Sequence, residues 1–294
     1  MLPIDGDGAV DGAVKGTSMS KRALLIGINQ YQLPGANLRG CVNDVANVSD
    51  ALTAVYGFTE GEITTLLDGA ATKAAMQHEI EQLIDSAEPG DVRYLHYSGH
   101  GSNVQDTNGD ETDGRDEILC PTDLDWNDPL TDDWLRTTFD RLSPDATLTV
   151  VMDCCHSGTN TREPLLRPPD APEPDVLPRF LPNPDDENQG ASFTETPRRA
   201  QRRRNRQSIH DVDIIEALMT GCSDRQTSAD ANIEGVFNGA LTYYLVQSMR
   251  SNPEATYREL HELTLNALEG NYEQVPQLEG RAARLDQRVL SNLT

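Results

Sequence analysis

Lysine is almost missing from this 294-residue chain. Only Lys15, Lys21 and Lys73 occur, so arginine supplies nearly all of the 24 basic side chains, set against 48 acidic ones. The resulting formal net charge of −24 excludes sustained nucleic-acid binding, because phosphate contacts need clustered Lys and Arg. An acid-rich, lysine-poor surface also suits solubility in high salt, although acidic proteins are common elsewhere. No apolar run reaches the roughly 18 residues of a membrane span, and no secretory signal pattern is present. A cytoplasmic protein with no membrane contact is expected. Cysteine is scarce too, at positions 41, 120, 154, 155 and 222. The lack of any CxxC pair argues against structural zinc, and the odd count fits a reducing compartment. A bond between the adjacent Cys154 and Cys155 would be strained.

What is present begins with two apolar runs, each ending in small polar residues. The first is 94–101 (YLHYSGHG) and the second 149–158 (TVVMDCCHSG). As neighbouring parallel strands they would place His100 and Cys155 at the edge where open α/β sheets bind ligands. A thiol with an imidazole in reach is the minimum apparatus for nucleophilic acyl transfer.

Strands are expected over 22–28, 62–67, 92–97 and 148–152. Helices are expected over 41–56, with Gly57 closing it, over 72–87 with Thr72 as cap, and mostly over 130–142. This alternation implies a parallel sheet with helices on both faces. Residues 1–20 read as a disordered tail and 160–209 as a disordered Pro- and Arg-rich linker ending in a basic island at 197–206. Order resumes near 211 with a strand through 217–221, helices over 239–249 and 256–268, and an edge strand at 288–290.

Residues 97–101 and 153–158, with 38–44, 114–117, 220–230 and 276–280, resemble the metacaspases, within the caspase-like cysteine peptidases. The resemblance implies one caspase-like α/β domain over 21–294, acting as a monomer. It would have a mostly parallel sheet of six strands, or eight, flanked by helices on both faces. Residues 21–159 would form the large part and 210–294 the small part. It further implies a cysteine endopeptidase with Cys155 as nucleophile, His100 as base and acid, and the N–H groups of Gly101 and Cys155 as oxyanion hole. No group orienting His100 is legible. The rival reading is a catalytically silent caspase-like scaffold or calcium-responsive binding module.

By the same resemblance Cys41, Asp44, Ser98 and Asp153 line the substrate pocket. Converging carboxylates call for a cation, so protein or peptide substrates with Arg or Lys at P1 are expected. Self-processing in the linker is expected at Arg199, Arg204 or Arg206, and disfavoured at Arg167, which Pro168 follows. The acidic loop 106–117 imitates an EF-hand but has Glu111 where the sharp turn needs Gly. The family offers instead a calcium site to which Asp116, Asp132 and Asp133 correspond. Its fourth acid is Arg162 here, with Glu163 adjacent as a substitute. Calcium is thus the expected cofactor, with no organic cofactor.

Overall fold

The computed structural model describes residues 19–106, 114–156, 174–184, 208–221 and 228–291. The apolar run after residue 20 forms β1 (Lys21–Gly27), followed by α1 (Cys41–Tyr56), β2 (Ile63–Leu67), α2 (Lys73–Asp85) and β3 (Val92–Ser98). Then come β4 (Gly101–Gln105), β5 (Arg115–Leu119), β6 (Leu130–Thr131), α3 (Asp132–Phe139) and β7 (Thr147–Asp153). The remaining strands are β8 (Val176–Pro178), β9 (Ile209–Asp211), β10 (Ala217–Thr220), β11 (Ala229–Ile233), β12 (Val236–Gly239) and β13 (Gln277–Gly280). Helices α4 (Ala240–Ser251), α5 (Tyr257–Leu268) and α6 (Ala282–Leu285) flank β13 in sequence.

Seven strands form the main sheet in the order β2-β1-β3-β7-β10-β13-β9. The first five are mutually parallel, and β13 runs antiparallel to β10. The α/β class is as expected, with a strand count between six and eight. Every residue of β3 and β7 is buried, which is why both read as near-continuous apolar runs. Along β1, alternate side chains serve opposite layers. Leu24 and Ile26 pack with Met76, Ile80 and Phe139 of α2 and α3. Ala23 and Leu25 pack with Val48, Leu245 and Leu260 of α1, α4 and α5. Helix α1 ends at Gly57, whose φ of 67° is the left-handed cap expected there.

Two small antiparallel sheets flank the C-terminal edge, one of β4, β5 and β6 and one of β12, β11 and β8. Three local expectations are corrected. Residues 130–131 extend as β6 before α3, which Thr131 caps by accepting from Trp134 N–H at 3.3 Å. Residues 288–290 make no strand, since Leu290 has a φ of 58° and only an isolated bridge joins Arg288 to Thr256. Finally, residues 174–184, inside the expected linker, are described and carry β8, because its backbone is paired with β11.

Candidate active site

Pairing of β3 with β7 sets Ser98 beside Asp153, so the residues that follow, His100 and Cys155, emerge at one sheet edge. His100 is 5% exposed. Its backbone N–H donates to the Tyr31 hydroxyl at 2.8 Å, and its Nε2 lies 2.8 Å from the Ala36 carbonyl. A carbonyl can only accept, so Nε2 carries the proton and Nδ1 holds the lone pair. Nδ1 is buried with no hydrogen-bond partner. Burial lowers the His100 pKa to about 4, with the Ala36 carbonyl opposing and the Arg179 charge assisting, so the ring is neutral near pH 7. The Ala36 carbonyl is thus the orienting group that sequence reading could not find, because a backbone oxygen has no residue signature.

Cys155 is fully buried and its sulfur accepts from Ser228 N–H. It is disulfide-bonded, whereas Cys41, Cys120 and Cys154 form no disulfide. A Cys154–Cys155 bond is therefore ruled out. The fifth cysteine, Cys222, lies outside the described residues. The N–H groups of Gly101 and Cys155 converge on one oxygen, the carbonyl of Arg179, at 3.0 and 3.2 Å. A side chain at 101 would put a Cβ 2.3 Å from the Cys155 carbonyl, so only glycine allows this approach.

Arg179 also fills the acidic pocket. Its guanidinium is fully buried and bonds the Asp44 carboxylate at 2.7 Å, Asp230 at 3.0 Å and the Ser98 hydroxyl at 2.6 Å. Asp153 Oδ2 lies 3.3 Å away. Burial opposes the charge, but Cys41, Asp153, Asp44 and Asp230 together raise the Arg179 pKa. The four expected pocket residues are therefore brought together around one guanidinium. Asp230 completes the set and was missed as a site residue. It is locked by the N–H groups of Arg39 and Gly40 at 2.8 and 2.9 Å. Asp153 is held by Thr242 N–H at 2.9 Å and Asp44 by Gly239 N–H at 2.9 Å. Burial raises the Asp44 pKa to about 6; Arg179 pulls it down and Asp153 pushes it up.

Residues 21–164 match the family model described as the metacaspase, peptidase C14 domain. Metacaspase-1 of Eremothecium gossypii is 34% identical over 88% of this chain, which spans 63% of that protein. Metacaspase-1 of Pyricularia oryzae is 34% identical over 88% of this chain, and 71% of its own length is covered. The chain belongs to the metacaspase family. The crystal structure of protein GSU0716 from Geobacter sulfurreducens shares the fold. It has a TM-score of 0.64 and 26% identity, and the match covers 94% of this metacaspase chain and all of the other.

Three of the four expected calcium ligands lie within the described residues. Glu163 lies outside the described residues. Asp116 is buried on β5, and Asp132 and Asp133 open α3. Among the described residues no group of three or more His, Cys, Asp or Glu could hold a metal ion. The acids are nevertheless crowded. Burial, Glu117 and Asp133 raise the Asp132 pKa to about 6. His156 sits 3.7 Å from Glu117 and 3.6 Å from Cys154 Sγ. Burial works against its charge, but Glu117 and Cys154 raise its pKa to about 10, making it an imidazolium in an acidic neighbourhood. His96, by contrast, is buried with both ring nitrogens unpaired and is lowered to about 4 by burial. It is a neutral core residue on the pocket side of β3. The expected self-cleavage residues Arg199, Arg204 and Arg206 lie outside the described residues. Among the described residues no helix is long and apolar enough to cross a membrane.

Proposed function

We propose that this chain is a cysteine endopeptidase that cleaves proteins or peptides after Arg, with Lys as the lesser alternative. One observation carries the reading. An arginine side chain sits against Asp44, Asp153 and Asp230 while its carbonyl faces the Gly101 and Cys155 N–H groups. A planar guanidinium satisfies several carboxylates at once, which an ammonium does less well. An Asp side chain there would add repulsion to its desolvation cost.

Once reduced, the Cys155 thiolate attacks the carbonyl carbon, and the two N–H groups stabilise the developing oxyanion. His100 Nδ1 takes the thiol proton and returns it to the leaving amine, with Nε2 anchored on Ala36 throughout. Calcium activation and self-processing belong to this proposal. Asp132 and its neighbours Glu117 and Asp133 carry oxygen donors of the kind a hard cation takes, and a complete set would need donors from outside the described residues.

The test is hydrolysis of a fluorogenic Arg-terminated peptide by the full chain in thiol reductant, with and without calcium, beside Cys155→Ala and an Asp-terminated peptide. Turnover of the Arg peptide alone, lost in Cys155→Ala, is expected, and calcium should raise it. Turnover unchanged by calcium would remove the ion from the reading. An inert, fully reduced protein would leave the scaffold reading in place.

A further inference from the structure

His100 is held by more than the Ala36 carbonyl. Its backbone N–H donates to the Tyr31 hydroxyl at 2.8 Å, and its own carbonyl accepts from the Tyr97 hydroxyl at 2.6 Å. The two hydroxyls also bond each other. They lie so close over residue 99 that a Cβ there would come within 2.6 Å of one and 2.8 Å of the other. Tyrosines therefore clamp the backbone of His100 at both its N–H and its carbonyl. The Tyr31 ring meets the imidazole too, with ring centroids 5.1 Å apart and planes tilted by 52°.

Tyr31 and Ala36 belong to one loop, which follows β1 and is itself fixed. Asp68 Oδ1 accepts from the N–H groups of Asn29 and Gln30 at 2.7 and 2.9 Å. Asn37 Oδ1 accepts from Tyr31 N–H at 3.0 Å, and Gln32 N–H donates to the Thr122 carbonyl at 2.9 Å. Tyr31 is buried within this frame.

In acyl transfer the proton of the Cys155 thiol moves to His100 Nδ1. An S–H bond breaks, an N–H bond forms, and the ring becomes a cation until it passes the proton to the leaving amine. No carboxylate bonds the ring to receive that charge, because Nε2 is on a carbonyl and Nδ1 has no partner. The groups that face His100 are Tyr31, Tyr97 of β3, Cys120 after β5, Cys155 after β7, Arg179 after β8 and Asp230 of β11. Arg179 opposes a charge on the ring. Asp230 favours it from a distance, its oxygens being engaged by Arg39, Gly40 and Arg179. Burial pushes the Tyr31 phenol well up, so it stays neutral. What it offers is the electron-rich face of its ring, which attracts a cation within about 6 Å.

We infer that Tyr31 is a positioning residue for His100, its hydroxyl fixing the backbone that carries the imidazole and its ring stabilising the imidazolium formed when the thiol gives up its proton. The inference rests on the peptidase reading. It adds the group that stands where other nucleophile–histidine sites place a carboxylate.

Two measurements on the reduced full chain test this. The first is kinetics of a small Arg-terminated peptide. Tyr31→Phe keeps the ring and orphans the His100 N–H, so kcat should fall about tenfold with KM within about twofold. A wild-type kcat overturns the clamp. The second is the pH dependence of Cys155 alkylation by iodoacetamide, read by mass spectrometry of the Cys155 peptide. A ring that favours the imidazolium favours the thiolate paired with it. Tyr31→Leu should therefore move the alkylation midpoint up by about half a unit to one unit, while Tyr31→Phe leaves it in place. An unmoved midpoint in Tyr31→Leu overturns the role of the ring. Should Tyr31→Leu not fold, Tyr31→pentafluorophenylalanine keeps the ring's size and reverses the sign of its face. Compared with Tyr31→Phe, it should shift the midpoint the same way, and no shift is again the overturning result. Alkylation needs no turnover. A Tyr31-dependent midpoint in a chain that hydrolyses no Arg peptide would sink the peptidase reading and keep the role of Tyr31. Hydrolysis with a midpoint indifferent to Tyr31 would do the reverse.

Discussion

Asp230 lies nearly two hundred positions along the chain from Asp44, yet it touches the same guanidinium. Hydrogen bonds to charged groups contribute about 1.5–3 kcal/mol each. Asp230→Asn should therefore raise KM for Arg peptides by about tenfold to hundredfold, with kcat changed less, as steady-state kinetics would read. Asp44 carries a second prediction. Its carboxyl stands at about 6 with Arg179 in place, facing Asp153, Asp230, Ser98, Cys41 and the guanidinium. Removing the cation leaves three carboxylates together, which raises their proton affinity further. An arriving arginine thus expels protons, and its binding weakens as pH falls through about 6. KM for an Arg peptide should rise between about pH 8 and about pH 5; a flat profile would remove Asp44 from recognition. Cys41, Asp44, Ser98 and Asp153 were legible because each lies in or beside a recognisable motif. Asp230 sits in such a segment too, but its role is invisible until β11 is paired. Arg179 was hidden for another reason: proline-rich, charged surroundings read as linker, although the short apolar run Val176-Leu177-Pro178-Arg179-Phe180-Leu181 was the available signal.

Helices with strong caps were the most legible elements. Thr72 itself has extended backbone, and its hydroxyl accepts from Ala75 N–H at 3.2 Å. Thr72→Ala should cost about 1 kcal/mol of stability, measured as a lower urea midpoint with unchanged slope. The hairpin of β11 and β12 was not legible as strands, because its polar, glycine-containing sequence lacks clean alternation. Its turn residues, Glu234 and Gly235, both have positive φ, the geometry a two-residue hairpin demands. This hairpin delivers Gly239 to the pocket wall at the start of α4. A Cβ there would lie 2.1 Å from Asp153 Oδ2 and 2.4 Å from Arg179 Nη1. Gly239→Ala should therefore narrow the pocket and lower kcat/KM for Arg peptides about hundredfold, or about 2.7 kcal/mol. Circular dichroism should remain native, and an unfolded variant would count against a local effect.

At the scale of the molecule, the large and small parts are halves of one sheet rather than two bodies. β7 and β10 pair in parallel from Thr149–Ala217 to Met152–Thr220. One apolar cluster joins Val48 of α1, Val151 of β7, and Leu245 and Leu260 of α4 and α5. Buried polar ties cross the same boundary, from Gly239 N–H to Asp44 and from Thr242 to Asp153. Surfaces of this kind resemble a domain core cut in two, the character of obligate interfaces. Self-processing in the segment between the two parts would remove one covalent link and none of these contacts. The net charge of −24 opposes association only through the exposed groups, and salt screens those. The processed chain should therefore run as two bands on a denaturing gel and as a single peak on native size exclusion, eluting with the uncut protein at both low and high salt. Separation into two peaks would mean that the sheet needs the linker's continuity to hold together. Cleavage would then destroy the pocket that Asp44 and Asp153 build with α4.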